Sequence, residues 1–153
     1  MMTSQELVTI EERAQENGLA LMIHGLLSEA VEASASKRAD LDKMSSTLAI
    51  VAPDAEVAVT LQFGGGRCQV RDGRAHDADL CIVADSYKIP ELSLLQIRHG
   101  LPWLFDEKGK NFVKDLVERK IKIEGLIRFP PTPLRTAKAG FDLVLLTRIL
   151  SVT

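Results

Sequence analysis

The chain has 153 residues, of which 46% are hydrophobic and 26% charged, and it carries a net charge of −2. A chain of this size buries roughly 70% of its unfolded surface, so one ordinary core forms without staples. Basic residues are scattered among acids and aromatics are only 5%, which excludes a phosphate-tracking surface or a base-stacking platform, so nucleic acid is not an expected partner.

Gln5 to Glu16 reads as a short helix with Leu7, Ile10 and Ala14 on one side, capped by Ser4 and ended by Asn17-Gly18. Leu19, Met22, Ile23, Leu26, Leu27, Ala30 and Val31 then recur at three and four, the wide apolar stripe of a second helix. Ser34-Ala35-Ser36 ends it, and Ala39 to Met44 supplies another turn or two of helix.

The period then changes. Thr47 to Val51 is β-rich and stops at Pro53. From Glu56 to Phe63, Val57, Val59, Leu61 and Phe63 alternate with less apolar neighbours, the pattern of a strand with one buried face. Gly64-Gly65-Gly66 turns the chain into a second strand carrying Cys68 and Val70, closed by Asp72-Gly73. Leu80-Cys81-Ile82-Val83-Ala84 is apolar on both sides, as an interior strand covered on both faces would be.

Asp85 or Ser86 is positioned to cap a helix carrying Ile89, Leu92 and Leu95, with Pro90 in its first turn and His99-Gly100 at its end. Leu101-Pro102-Trp103-Leu104-Phe105 forms a hydrophobic knot. Asn111 to Arg119 is a helix with Phe112, Val113, Leu116 and Val117. Lys120-Ile121-Lys122-Ile123-Glu124-Gly125 is a short edge-like strand closed by a turn glycine. Pro130-Pro131-Thr132-Pro133 breaks the chain, with Thr132 as cap and Pro133 as the first residue of a last helix. Phe141, Leu145 and Ile149 repeat along that helix, and Leu134, Ala137, Val144, Leu146 and Leu150 widen its stripe.

No constellation in the sequence points to catalysis. His24, His76 and His99 are far apart, and His99 at a helix end is favourable through the dipole alone. Gly64-Gly65-Gly66 has no following Lys-Ser/Thr, so a hairpin turn is favoured over a phosphate loop. Asp72, Asp77, Asp79 and Asp85 lack calcium-loop spacing and read as loop ends and caps. Cys68 and Cys81 form no CxxC pair. Two packed thiols are favoured over a bridge between neighbouring strands, and no metal or cofactor is expected. The longest apolar stretch, Leu19 to Leu27, falls far short of the ~20 residues of a membrane span, so stable membrane insertion is not expected. The N-terminus has no basic segment followed by an apolar run, and the cytoplasm is the expected location.

Three stretches together resemble the sterol carrier protein type 2 domain. They are the hairpin Val57 to Arg71 with Asp72-Gly73, the run Asp79-Leu80-Cys81-Ile82-Val83-Ala84-Asp85, and the late strand Lys120 to Gly125. The resemblance covers about Glu56 to Leu150. The sequence departs from the family at Pro130-Pro131-Thr132-Pro133 and in its long N-terminal helices.

The resemblance implies an α+β fold. A mainly antiparallel five-stranded sheet carries helices on one face, with residues 46–153 as the lipid-binding domain and residues 1–45 as a helical extension packed on it. It also implies non-enzymatic binding or transfer of a sterol, fatty acyl or isoprenoid lipid in an apolar cavity between the layers. Leu92, Leu95, Trp103, Phe105, Phe112, Leu116, Phe141 and Leu145 are the candidate walls. The alternative is an interaction or homodimerisation module with a filled core, paired through the helix Leu19 to Val31.

Overall fold

The alternating stretches of the middle of the chain assemble into a mixed sheet. The computed structural model describes residues 7–91, 97–98, 101–102, 105–125 and 133–151. Among these, the strands are β1 (Val8–Ile10), β2 (Thr47–Ala52), β3 (Val57–Gly64), β4 (Arg67–Asp72), β5 (Leu80–Ala84), β6 (Ile97–Arg98), β7 (Leu101–Pro102) and β8 (Ile121–Glu124). The helices are α1 (Gly18–Ala33), α2 (Ala35–Asp42), α3 (Glu107–Val117) and α4 (Pro133–Leu150). Six strands form one sheet in the order β1-β4-β3-β2-β5-β8, and β6 and β7 form a separate ribbon.

The sheet therefore differs from the expected five-stranded, mainly antiparallel one. It has six strands, and two of its five pairings are parallel, β1 with β4 and β2 with β5. The second parallel pair follows from the connection: after the β3–β4 hairpin the chain returns through residues 73–79 and enters β5 beside β2 in the same direction.

The first pair corrects the reading of the N-terminus. Gln5 to Glu16 does not form an α-helix in its described part. Val8-Thr9-Ile10 is a strand in register with Cys68, Gln69 and Val70, and Glu12–Glu16 is a short 3-10 turn. Three consecutive β-branched residues, with Val8 buried and Thr9 exposed, suit a pleated edge, and the available partner overrides the weak helical spacing. Asn17 ends the 3-10 helix, its N–H donating to Ala14 O at 3.0 Å, and also begins α1: its Oδ1 accepts the N–H groups of Leu19 and Ala20. Its Nδ2 donates to Ala58 O and Asp72 Oδ1, both at 2.9 Å, which ties the start of α1 to the hairpin.

Other boundaries follow local chemistry. The hairpin turns at Gly65-Gly66, both with positive φ (61° and 77°), as a tight hairpin turn demands. A Cβ at Gly66 would also collide with the Asp42 carboxylate. Asp106 caps α3 through Gly109 N–H at 2.7 Å, so that helix starts four residues before Asn111. Gly125 closes β8 at φ 99°.

Register assigns the faces. Val8, Cys68, Phe63, Val70, Leu61, Leu48, Leu80, Ile50 and Ile82 lie opposite one another across the ladders and are all buried. The helices cover this face. α1 lies against β1, β4 and β3, α4 against β2 and β5, and α3 beside β8, while α2 packs between α1 and α4. Leu19, Ile23, Leu27 and Val31, the stripe of α1, are buried in this shared core.

The other face is crossed by the 73–79 segment. Thr60, Ala49, Cys81 and Glu124 form one row across four strands. Thr60 Oγ1 donates to Gly73 O and accepts Ala75 N–H, and Arg74 reaches Glu124 at 2.7 Å. The row's centre is closed as a result: Ala49 and Cys81 are buried. β5 is thus covered on both faces, as its unbroken apolar run requires. Cys68 and Cys81 are free and buried on opposite faces, in strands that are not neighbours.

Candidate functional site

β8 is the edge of the sheet, and its alternation decides what that edge offers. Ile121 and Ile123 lie opposite Ala84 and Ile82 on the helix-covered face, while Lys122 and Glu124 lie opposite Val83 and Cys81 on the other. α3 runs into this strand through a tight reversal. Lys120 N–H donates to Asp115 O at 2.8 Å and Arg119 N–H to Leu116 O at 3.3 Å, the paired bonds of a Schellman C-cap. The residue that must take the left-handed conformation there is Arg119, at φ 60°, where glycine is the usual occupant. The reversal sets Leu116, Arg119, Ile121, Lys122 and Ile123 around one groove of about 410 Å³.

The groove is apolar at its floor and cationic at its rim. Its volume falls within the range of small-molecule sites, roughly 300–1,000 Å³. The apolar surface continues inward: Ile123, Leu116 and Phe112 are half-buried and pack against the core that holds Ile82, Ala84, Ile89 and Ile121. Arg119 and Lys122 form no ion pair with the described residues, whereas Lys120 is drawn to Glu118 at 3.2 Å.

One ion pair fixes α3 over this edge. Lys88 Nζ donates to Asp115 Oδ2 at 2.7 Å, and both side chains are largely buried. The hydrogen bond to Asp115 holds the Lys88 pKa above its ordinary value. The turn carrying Lys88 is itself tied down, because the Ser86 N–H and hydroxyl both donate to Asp54 and thereby hold that carboxyl below its ordinary value.

The sequence-derived wall residues separate into groups. Leu116 lines the groove. Phe112 is in the apolar cluster behind it, and Leu145, 1% exposed, is deep in the same core on α4. Phe105 is 73% exposed just before α3, and Phe141 is 51% exposed on the outer side of α4, with Lys138 Nζ 5.3 Å from its ring centre. Leu92, Leu95 and Trp103 lie outside the described residues, as do His99 and most of the Pro130–Pro133 break. Ile121, Ile123, Arg119 and Lys122 were not among the candidates. The alternation Lys-Ile-Lys-Ile marked the strand, but only its place at the sheet's edge beside α3 turns its isoleucines into a wall.

A second, larger depression of about 600 Å³ lies where β2 ends and β3 begins. Its lining sets Arg13, Glu16, Asn17, Glu56 and Asp72 beside Val51, Ala52, Pro53, Val57 and Ala58, so it is as polar as it is apolar. Among the described residues no three His, Cys, Asp or Glu side chains group to hold a metal ion, and no helix is long and apolar enough to cross a membrane. The two buried thiols are held up by burial, which leaves them as packing groups instead of nucleophiles.

No family model matches this sequence, and no curated protein matches it. Solved structures do. One described as "UbiJ-SCP2 Ubiquinone synthesis protein" superposes with a TM-score of 0.56 over 90% of this chain and 99% of its own, at 14% identity. The chain has a sterol carrier protein 2-like fold. A second structure, described as "Crystal structure of sterol carrier protein 2", aligns over 88% of this chain and 95% of its own at 20% identity, with a TM-score of 0.47. At this level of identity the likeness of this SCP2-like chain is one of fold. The sequences have diverged too far for a side-chain role to be transferred. The groove at β8 therefore rests on its own geometry.

Proposed function

We propose that this SCP2-like chain binds or transfers a hydrophobic ligand, a sterol, fatty acyl or isoprenoid lipid, without catalysing a reaction on it. The observation that supports this most is the groove where α3 meets the edge of the sheet. Its apolar floor of Leu116, Ile121 and Ile123 packs against the hydrophobic core. Hydrophobic uptake needs little more than such a surface, since each buried methylene gains ~0.8 kcal/mol. The proposed path for an alkyl chain enters at β8 and runs inward past Phe112. The structures with this fold include one described as a ubiquinone synthesis protein, which makes an isoprenoid lipid the first ligand to try.

The alternative, assembly through the α1 stripe, is not favoured. Leu19, Ile23, Leu27 and Val31 are buried within the chain itself, and Leu26 is half-buried against the same core. That stripe is not available to a second copy.

Native mass spectrometry of the purified protein tests the proposal, together with an Ile123→Glu variant. The expected result is a co-purifying lipid adduct in the wild type that is lost or strongly depleted in the variant, with unchanged far-UV circular dichroism. Apo protein alone, after supply of several lipid classes, would count against it. An adduct that survives Ile123→Glu would move the ligand away from this groove.

A further inference from the structure

The outer face of α3 combines exposed apolar and basic side chains. Val113 and Val117, four residues apart and so on one side of the helix, are 38% and 77% exposed. Lys110 and Lys114 are likewise four apart and adjoin them on the same exposed side, opposite the inward-facing Phe112, Asp115 and Leu116. Phe105, at the entry to the helix, is 73% exposed. The segment 105–122 contains six basic and four acidic residues in a chain whose net charge is −2. One of those acids, Asp115, is turned inward to Lys88, and another, Asp106, caps the helix. Glu118 lies within 3.2 Å of Lys120 and 4.0 Å of Lys114.

We propose that this face docks the protein on an anionic lipid surface, with Val113, Val117 and Phe105 in shallow apolar contact and Lys110, Lys114 and Lys120 among the headgroups. A helix lying in an interface presents this combination: apolar side chains that enter the acyl boundary and lysines that reach anionic lipids. Two features of this face favour a lipid surface over an acidic protein. The face is the convex side of a helix, and it adjoins the groove of Leu116, Ile121 and Ile123. Docking here would set the groove's cationic rim, Arg119 and Lys122, against the bilayer. That last advantage rests on the lipid-binding reading, but the docking itself stands on charge and exposure alone.

The test is co-sedimentation with vesicles of phosphatidylcholine, with and without phosphatidylglycerol. Wild type should bind the phosphatidylglycerol vesicles at low salt, release at high salt, and ignore pure phosphatidylcholine. Each lysine near an anionic surface multiplies association roughly fivefold. Lys110→Glu combined with Lys114→Glu should therefore weaken binding more than tenfold, and Val117→Asp severalfold, with circular dichroism unchanged in both.

Absence of phosphatidylglycerol-dependent binding, or binding that the double variant leaves intact, would overturn the proposal. So would a concentration-dependent dimer in sedimentation velocity that the double variant abolishes, because a second copy would then occupy the face. Uptake of a fluorescent fatty acid without vesicles should be the same in the double variant as in wild type. If uptake fails in both while vesicle binding holds, the ligand reading falls and the docking surface stands.

Discussion

Asp142 is fully buried on α4 and is the fold's most demanding residue. Its Oδ2 accepts the N–H groups of Ser45 and Ser46 at 3.0 and 2.8 Å, and its Oδ1 accepts Lys138 Nζ at 2.7 Å. Burial alone would push its pKa up, but Lys138 and the Ser45–Ser46 pair outweigh it and hold the carboxyl below its ordinary value of 3.8. Two amides that enter β2 would lose their acceptor in Asp142→Ala, at a cost of about 2–3 kcal/mol, measured by urea unfolding. The pH dependence has a defined sign. A carboxyl whose folded pKa is depressed stabilises fully above its unfolded value and loses that contribution as pH falls through the folded one. Wild-type stability should therefore drop on acidification below about pH 4, and Asp142→Asn, already less stable at neutral pH, should show a shallower drop. An equal slope in the two proteins would show that other groups carry the acid sensitivity.

At the scale of elements, the end of α3 holds a conflict between backbone and side chain. Arg119 occupies the left-handed position of the C-cap, where a non-glycine residue costs about 1–2 kcal/mol. Arg119→Gly relieves that strain and loses part of the gain to a freer unfolded chain. The net expectation is about 0.5–1 kcal/mol of added stability, or a Tm higher by about 1–4 °C. Arg119→Val should go the other way, because a β-branched residue resists this conformation. If thermal melting shows no gain for the glycine variant, the Arg119 side chain offsets its backbone cost through contacts of its own.

The elements also show what local sequence reveals. The β3–β4 hairpin, β5 and β8 follow directly from alternation, turn glycines and an unbroken apolar run, which are short-range signals. β1 does not. Val8-Thr9-Ile10 is too short to show a period, and its partner Cys68–Val70 lies sixty residues away, so nothing local separates it from a helical turn. The candidate site divides along the same line. Leu116 was legible from the apolar spacing of α3. Ile121 and Ile123 were legible as a strand but not as a wall, because being at the edge is a property of the assembled sheet. On α4, Phe141 faces solvent over Lys138 while its neighbour Asp142 turns into the core, an inversion that hydrophobicity alone does not encode.

For the molecule as a whole, two layers decide what it does. On one face of the sheet the 73–79 segment is held to Thr60 and, through the Arg74 side chain, to Glu124, and Ala49 and Cys81 between them are buried. The other carries α1, α2 and α4 packed tightly against β1 to β5, with α3 held over β8 by Lys88 and Asp115. Among the described residues, the groove where α3 and β8 converge sets Leu116, Ile121 and Ile123 at the surface against the apolar core, and it is the proposed entry. An alkyl guest entering there would be held by area, not by any specific polar bond. Affinity should then climb with chain length. Titration of saturated fatty acids of increasing length against a displaceable fluorescent fatty acid measures this directly. Uptake should be saturable, with each added pair of methylenes tightening binding by about tenfold until the groove is filled. Affinity that stays flat across the series, or no saturable uptake at any length, would contradict the account.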